Sequence, residues 1–413
     1  MRLSLNSEIK EKVVYWPAVL FVAVFFVLPE EMKLVLTVAA LVTIAVARKG
    51  KLSLSFPRYS GLLIVIPLIG LLSGALNGHF DSGAYKYFRD VAYYVSPFLV
   101  WLLGSAMGEV QRGENGFWTT LYFMAFSSAL SMIAQGLATG AAAQLTLSSF
   151  NANEMVVYAP ILLFMSPKSW TWRNEHQKLA WGIALVSLIA IVISLSRTTL
   201  ICLIVLFLAF AVRSLPRFAK TFSVGAVLVV LLLAVVSVFP SSASIEFFDK
   251  IGNSLTEVSS SQTVWDEASV NTNWRGYEKY CAEHDFENST TFEKLFGHGD
   301  GYLMPAGSYS NLVTGDSGLP FLHNGFYSLL IKCGALSVVL LLTFYVLQAF
   351  RLFNGWVRTG HEMTGLALGM LLCLVVCSYV IEGLFIPSAL YFFTFPLAMI
   401  FGYKNRMGQR IPG

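Results

Sequence analysis

The sequence predicts an all-α polytopic membrane protein with about 12 transmembrane helices and one large, partly helical loop between spans 9 and 10. Hydrophobic residues make up 56% of the 413-residue chain, and charged residues make up 13%. A soluble protein of this length could not bury so much apolar surface, so lipid must solvate most of it. The number of long apolar runs and the uneven distribution of basic residues support the same fold class.

Twelve apolar runs approach the length needed to cross about 30 Å of hydrocarbon. The weakest of them is 33–47. The predicted spans are 13–29, 33–47, 60–76, 91–107, 117–138, 153–166, 179–196, 198–213, 221–239, 322–349, 364–383 and 388–403. This pattern divides the chain into 1–239 with spans 1 to 9, a loop domain at 240–321, and 322–413 with spans 10 to 12 and a tail.

Basic residues cluster after every second predicted span, which orients the chain by the positive-inside rule. With twelve spans, 19 of the 28 Lys and Arg residues fall on one face, and both termini are expected to be cytoplasmic. The long segment 240–322 would then lie outside, and it carries 12 Asp or Glu against four Lys or Arg. A connection this long is expected to fold and to carry function, with one short helix around 274–285.

His323 is the predicted general base. It lies in Leu-Pro-Phe-Leu-His-Asn-Gly, where the loop re-enters the membrane, and Pro320 is expected to begin the next helix. An imidazole titrates near neutrality and can take a proton from a hydroxyl. The alternative is a His that caps the helix or lies among interfacial aromatic residues. His298, in Phe-Gly-His-Gly-Asp-Gly, is a weaker candidate because its glycines are typical of a tight turn.

Two arginines are candidates for binding phosphate, because the planar guanidinium fork matches phosphate oxygens. Arg197 lies in Ser-Leu-Ser-Arg-Thr-Thr at the expected outer membrane boundary. Its alternative role is an interfacial side chain that reaches toward water or caps a helix end. Arg275 lies in Asn-Trp-Arg-Gly-Tyr-Glu within the loop. Its alternative role is a surface ion pair with Glu278 or Glu283.

Lys86 and Arg89 lie three residues apart before span 4, so they share one helix face and could help to hold an anionic group. Their alternative is an amphipathic helix at the lipid interface. Lys332 falls inside span 10 and needs a partner or a water-filled cavity, for which Glu382 is a candidate. The sequence contains no Gly-rich phosphate loop, no HExxH motif and no Gly-x-Ser-x-Gly elbow.

The order of these motifs resembles the O-antigen ligase and O-antigen polymerase superfamily of bacterial envelope glycan enzymes. Ser-Leu-Ser-Arg-Thr-Thr (194–199) is followed by a long loop with an Arg before an aromatic-rich helix, then by Leu-Phe-Gly-His-Gly (295–299). The loop ends in Leu-His-Asn-Gly-Phe-Tyr-Ser-Leu-Leu-Ile-Lys-Cys-Gly (322–334). The detailed match covers roughly 150–345, and the first four spans match only in topology.

The resemblance implies a multi-pass protein of the bacterial inner membrane that transfers a glycan from undecaprenyl pyrophosphate to a sugar hydroxyl at the periplasmic face. It implies His323 as the base, Arg197 and Arg275 as pyrophosphate-binding residues with Arg89 and Lys86 as helpers, and no cofactor or metal. A ligase would use lipid A–core as acceptor, and a polymerase would use another lipid-linked repeat unit. A lipid-linked glycan transporter is the remaining alternative, although no internal two-halves repeat is apparent.

Overall fold

The computed structural model describes residues 30–47, 49, 55–79, 83–111, 113–138, 154–165, 167–194, 196–211, 264–307, 309, 318–380, 383–385 and 390–408. Within these ranges the chain is almost entirely helical, and the only extended pairing is an isolated bridge between Met304 and Leu319. The first eight helices are α1 (Glu30–Ala47), α2 (Ser60–Leu76), α3 (Ala84–Val110), α4 (Glu114–Ala138), α5 (Tyr158–Met165), α6 (Thr171–Glu175), α7 (Gln177–Ser194) and α8 (Arg197–Ala211).

Six further helices follow in the described part of the chain. Three of them, α9 to α11, lie in the long segment 240–322, which is called the polar segment below. Helix α10 is the helix expected around 274–285. The six are α9 (Glu267–Thr272), α10 (Trp274–Asn288), α11 (Thr291–Phe296), α12 (Gly325–Thr359), α13 (Glu362–Val380) and α14 (Phe395–Arg406).

Helices α3, α4, α12 and α13 contain stretches long and apolar enough to cross a membrane, and shorter apolar helices accompany them. The prediction of a helical membrane protein is therefore confirmed. The total of twelve spans stays a prediction, and the runs 13–29 and 221–239 lie outside the described residues.

Small residues let helix α3 pack closely along α14. A Cβ atom at Gly104 would lie 2.5 Å from the carbonyl oxygen of Phe395, and one at Gly108 would overlap the carbonyl of Met399. Glycines four residues apart allow such close backbone approach between membrane helices, where apolar burial alone gives little driving force. This contact fixes α3, whose first turns carry Lys86 and Arg89.

Helix α12 is broken at Gly334, whose φ of 75° and ψ of 174° are not helical. A regular helix would give the carbonyls of Ile331 and Lys332 to N–H groups four residues later. Here they accept instead from the backbone N–H groups of His298 at 2.9 Å and Gly299 at 2.8 Å. Backbone N–H groups of another segment thus satisfy the two carbonyls at the break. Polar backbone groups within a membrane need such partners in the protein.

The turn that fills this break also packs on α2. Ser73 donates its hydroxyl to the Gly297 carbonyl at 2.5 Å, and the N–H of Asp300 donates to the Gly70 carbonyl at 2.9 Å. Gly299 has a φ of 94°, and a Cβ there would overlap the backbone of Gly74. The polar segment is therefore wedged between α2 and α12.

The polar segment has a small apolar core of its own. Its buried members come from α9, α10, the connection after α11, and the start of α12, and aromatic side chains pack around them. The core residues are Val270, Tyr277, Cys281, Ala282, Met304, Ala306, Leu319, Leu322 and Ile331. Because Ile331 belongs to α12, this core holds α10 against the start of that helix.

Candidate functional site

His323 lies where the polar segment joins α12, and it is bound to Glu278 of α10. Its Nδ1 lies 2.9 Å from Oε1 and 3.1 Å from Oε2 of that carboxylate. The backbone N–H of His323 donates to Glu278 Oε2 at 3.0 Å. One carboxylate therefore sets both the ring orientation and the path of the chain at this residue.

The two partners differ in exposure. Only 5% of the Glu278 side chain is exposed, against 44% of the His323 side chain. Trp274, one turn earlier on α10, donates its indole N–H to Glu278 Oε1 at 2.7 Å. A carboxylate at Nδ1 favours the tautomer that carries its proton there, which makes Nε2 the nitrogen able to accept a proton. A carboxylate orients the general-base histidine of catalytic triads in the same way.

Helix α12 begins at Gly325 rather than at Pro320, because Asn324 caps it. The side-chain oxygen of Asn324 accepts from the second and third backbone N–H groups of the helix, at 3.0 and 3.3 Å. An Asn in this position satisfies N–H groups that have no partner within the helix. His323 precedes the cap, so the capping alternative for this residue is wrong.

Arg275 lies on α10, three residues before Glu278, and is partly buried. Residues at this spacing lie on the same helix face, so α10 carries Arg275 on the side that presents Glu278. The alternative role of Arg275, a surface ion pair with Glu278 or Glu283, does not appear among the described contacts. Glu278 bonds His323, and Glu283 accepts from the Tyr327 hydroxyl at 2.7 Å.

Lys86 and Arg89 lie in the first turns of α3 and share one face, as their spacing predicts. Both side chains are partly buried. Arg89 donates from Nε and Nη2 to Asp90 Oδ1, at 3.2 and 3.1 Å. Its guanidinium is thus anchored in the protein, with 18% of the side chain exposed.

Arg89, Asp90 and Lys332 form a buried group of charges, called the charged cluster below. The second carboxylate oxygen of Asp90 binds Lys332 Nζ and accepts from the Gly301 N–H at 2.9 Å. Asp90 is fully buried and Lys332 is 3% exposed. Asp90 is therefore the partner that Lys332 requires, whereas the sequence suggested Glu382, which lies outside the described residues.

Phe321 connects the charged cluster with His323. Its ring centroid lies 4.4 Å from Lys332 Nζ and 5.2 Å from Arg89 Cζ, in the range of cation–π contacts. The Tyr93 ring also packs against Phe321, with the two ring centroids 4.9 Å apart. Since Phe321 is two residues before His323, the structure brings Arg89 and His323 to one junction of α3, α10 and α12, and α10 is the helix that carries Arg275.

Arg197 is the first residue of α8 and is partly buried. The helix start is capped by Ser196, whose hydroxyl accepts from the Thr199 N–H at 3.2 Å. Helix α8 packs along α13, where the sulfur atoms of Cys202 and Cys377 are 3.9 Å apart. The position of Arg197 therefore depends on the packing of α8 against α13. Its convergence with His323 on one site stays a prediction.

His298 has a structural environment, as its glycine-rich turn predicts. Its Nε2 lies 2.9 Å from the Ser289 hydroxyl and its Nδ1 lies 3.3 Å from Glu293 Oε1. The ring stacks on Tyr302 at 4.0 Å, and the Tyr302 hydroxyl donates to Asp285 at 3.0 Å. Burial raises the pKa of that Asp285 carboxyl above its ordinary value.

The sequence did not single out Glu278 or Asp90 as parts of the site. Glu278 is predicted only as a possible surface partner of Arg275, and Asp90 carries no prediction although it directly follows Arg89. An acidic residue beside a candidate cation was the available signal in both cases. Within the described ranges no cluster of three or more His, Cys, Asp or Glu could hold a metal ion.

Taken together, the junction offers an oriented, partly exposed imidazole and two guanidiniums on neighbouring elements. Such an arrangement can deprotonate a hydroxyl and stabilise a nearby anion. A scan against models of known protein families gives no match, and a comparison with curated proteins gives none either.

Proposed function

We propose that this chain is an O-antigen ligase, a metal-independent inverting glycosyltransferase at the periplasmic face of the bacterial inner membrane. Its donor is a glycan on undecaprenyl pyrophosphate, and its acceptor is a sugar hydroxyl of lipid A–core. The observation that carries the proposal is the contact of the buried Glu278 carboxylate with both Nδ1 and the backbone N–H of His323. That contact prepares Nε2 to take a proton.

In the proposed reaction, Nε2 of His323 takes the proton of the acceptor hydroxyl as its oxygen attacks the anomeric carbon. The bond from that carbon to the pyrophosphate oxygen breaks, and the bonding electron pair leaves with the pyrophosphate. Attack opposite the leaving group inverts the anomeric centre. Glu278 stabilises the imidazolium that forms, as a carboxylate does in catalytic triads.

The departing pyrophosphate needs positive charge, and the junction supplies it from two directions. Arg275 approaches from α10, and Arg89 is held at the start of α3. Arg197 and Lys86 complete the proposed pyrophosphate-binding set. Preorganised guanidiniums can stabilise developing phosphate charge electrostatically, which is the role that a divalent ion has in other enzymes.

Complementation of a strain from which the chromosomal copy has been deleted tests the proposal. A ligase predicts that the deletion strain makes lipid A–core without attached polymer, and that wild-type protein restores the polymer while His323→Ala does not. His284→Ala is the matched control, because His284 is an exposed histidine on α10, the helix that carries Glu278. Attachment of single repeats in the deletion strain would indicate a repeat-unit polymerase instead.

A second measurement separates glycan transfer from transport. The purified protein is mixed with a labelled undecaprenyl-pyrophosphate glycan and acceptor lipid, and the products are separated by gel. Transfer of label to the acceptor supports the proposal. Movement of the labelled donor across a vesicle membrane without any new glycosidic bond would contradict it and favour a transporter.

A further inference from the structure

The charged cluster satisfies Asp90 completely. Its Oδ1 receives Nε and Nη2 of Arg89, and its Oδ2 receives Lys332 Nζ and the Gly301 N–H. A buried carboxylate without such donors would be strongly destabilising, and removal of one partner would leave an uncompensated charge. Asp90 is therefore bound on both oxygens, and it holds one edge of the Arg89 guanidinium in a fixed direction.

The contacts with Asp90 leave the Nη1 edge of that guanidinium unused, and 18% of the Arg89 side chain is exposed. Among the described residues, the only acceptor that Arg89 meets is Asp90, which uses Nε and Nη2. Phe321 lies against the cation at 5.2 Å and limits its rotation. The remaining Nη1 edge is the part that can meet phosphate oxygens, in the fork geometry that arginine uses for this purpose.

Lys332 also determines the charge that a ligand meets. Arg89 and Asp90 alone would cancel, and a neutral pair attracts an anion poorly. With Lys332 the cluster keeps one net positive charge. The lysine itself contacts Asp90, and only 3% of its side chain is exposed. The lysine therefore maintains the positive charge without having to touch the ligand.

We propose that Asp90 and Lys332 are positioning residues that hold Arg89 ready to bind the pyrophosphate of the donor. This inference rests on the proposed function for the identity of the ligand. Its geometric content, an anion-binding arginine fixed by a buried carboxylate and lysine, does not depend on glycan transfer.

Asp300 lies beside the cluster and does not cancel its charge at neutral pH. It is fully buried, and the described residues give neither of its carboxylate oxygens a hydrogen-bond partner. Burial, with the nearby Asp90 carboxylate, raises the pKa of Asp300 to about 8, although Lys332 opposes the shift. The neutral form therefore predominates at pH 7.

The sign of one substitution separates positioning from simple charge. Asp90→Asn raises the net charge of the cluster from one to two, so electrostatic attraction alone predicts tighter binding of inorganic pyrophosphate. Positioning predicts the opposite, a loss of roughly tenfold or more in affinity, because the single amide oxygen of Asn cannot accept from both Arg89 and Lys332 and lacks the negative charge that holds the guanidinium. The measurement is calorimetric titration of the purified full chain with inorganic pyrophosphate. Binding by Asp90→Asn as tight as wild type, or tighter, would overturn the inference.

A double variant keeps the test valid if Asp90→Asn fails to fold. Asp90→Leu with Lys332→Met removes both buried charges and the oxygen that accepts from Arg89, and it leaves the net charge of the cluster unchanged. Positioning predicts the same loss of pyrophosphate affinity for this variant, and wild-type affinity would contradict it. Lys404→Met is the matched control, since Lys404 is a buried lysine bonded to Thr364 at 2.7 Å on α13; its pyrophosphate affinity should equal that of wild type.

Transfer kinetics in the same preparation separate the two proposals. If the wild type transfers glycan, Asp90→Asn should raise the donor KM more than it lowers kcat. Unchanged KM and unchanged pyrophosphate affinity would refute positioning while the glycosyltransferase proposal stands. Loss of pyrophosphate affinity in a protein whose wild type transfers no glycan would keep positioning and refute the proposed function.

Discussion

Two histidines of the polar segment, His323 and His298, have opposite environments. His298 contacts a hydroxyl with one ring nitrogen and a carboxylate with the other, stacks on Tyr302, and is 12% exposed. His323 meets Glu278 through Nδ1 and its backbone N–H, and 44% of its side chain is exposed. Both rings contact a carboxylate, and both residues adjoin α12: the His298 N–H donates to the Ile331 carbonyl, and His323 lies two residues before Gly325.

The difference shows that the surroundings, rather than the residue type, assign a histidine its role. His298 belongs to a turn whose backbone closes the break in α12, so its contacts stabilise that turn. His323 has its orienting partner buried and its ring at the surface of the junction. A base must reach its substrate, so only the second arrangement suits catalysis.

The largest expected effect comes from exchanging the two histidines for alanine. His323→Ala should lower the rate of glycan transfer by roughly 10²- to 10⁴-fold, the usual contribution of a general base. His298→Ala should leave the rate per folded molecule within about threefold, and should lower the thermal midpoint because it removes buried contacts. Transfer assays and thermal unfolding in the same detergent check both. Equal rate losses in the two variants would break the comparison.

The turn that carries His298 gives the next effect. Gly299→Ala should destabilise the protein by about 2 to 5 kcal/mol, because a Cβ would meet the backbone of α2 and the positive φ disfavours alanine. Gly307→Ala is the matched control, since its φ is also positive but its Cβ would meet only the Tyr277 hydroxyl, at 3.4 Å. If Gly299→Ala lowers the thermal midpoint no more than Gly307→Ala does, the close packing of the 297–301 turn against α2 does not contribute to stability.

The carboxylate that orients His323 should matter less than the base itself. Glu278→Gln is expected to lower the rate of transfer by roughly 10- to 100-fold, the range typical for removing the carboxylate that orients a metal-ligating histidine. Glu283→Gln, on the same helix, changes contacts with the Tyr327 hydroxyl and Lys279 Nζ and leaves His323 untouched, so it should stay near the wild-type rate. If both Gln variants keep the wild-type rate, Glu278 has no orienting role.

Asp300 predicts an effect on stability rather than on transfer, and this effect appears only as a dependence on pH. The pKa of Asp300 in the folded protein is about 8, whereas that of an unfolded Asp carboxyl is about 3.9. Between these two pH values the native state retains a proton that the unfolded chain releases. The stability contributed by this proton is present below pH 4, declines between about pH 4 and 8, and levels off above that range. The groups that face Asp300 are Asp90, Lys332, Cys333, Tyr87 and Tyr94.

Asp300→Asn should remove that dependence. The thermal midpoint of the variant, relative to wild type, is therefore expected to rise between pH 5 and pH 8. The comparison is made by thermal unfolding at several pH values, with Asp266→Asn at an exposed helix cap as the control. A difference that stays constant with pH would show that the Asp300 carboxyl is not neutral in the native state.

Apolar run length and glycine chemistry predicted the helical elements well. The run 60–76 became α2 (Ser60–Leu76), and 117–138 became α4 (Glu114–Ala138). The helix expected around 274–285 appears as Trp274–Asn288, and Gly297, Gly299 and Gly301 all adopt positive φ. These features depend on local periodicity and local backbone sterics, which neighbouring residues alone determine.

The start of α12 was predicted less well, because two residue types compete to begin a helix. Pro320 suits a first helical turn, but Asn324 can cap one with its side chain. Leu319 and Leu322 are buried in the apolar core of the polar segment, and the helix begins only after Asn324. Packing therefore chose between two local signals that were both reasonable.

By itself the sequence determined the helical membrane class, the glycine turn at 297–301, and the candidate side chains Arg89, Arg275 and His323. Only the tertiary structure decided that Glu278 binds His323 and that Asp90 joins Arg89 to Lys332. Those contacts link residues tens to hundreds of positions apart, across helices whose relative positions come from close glycine packing and a broken helix. Composition and periodicity carry no information on such distances, because they describe one helix face at a time.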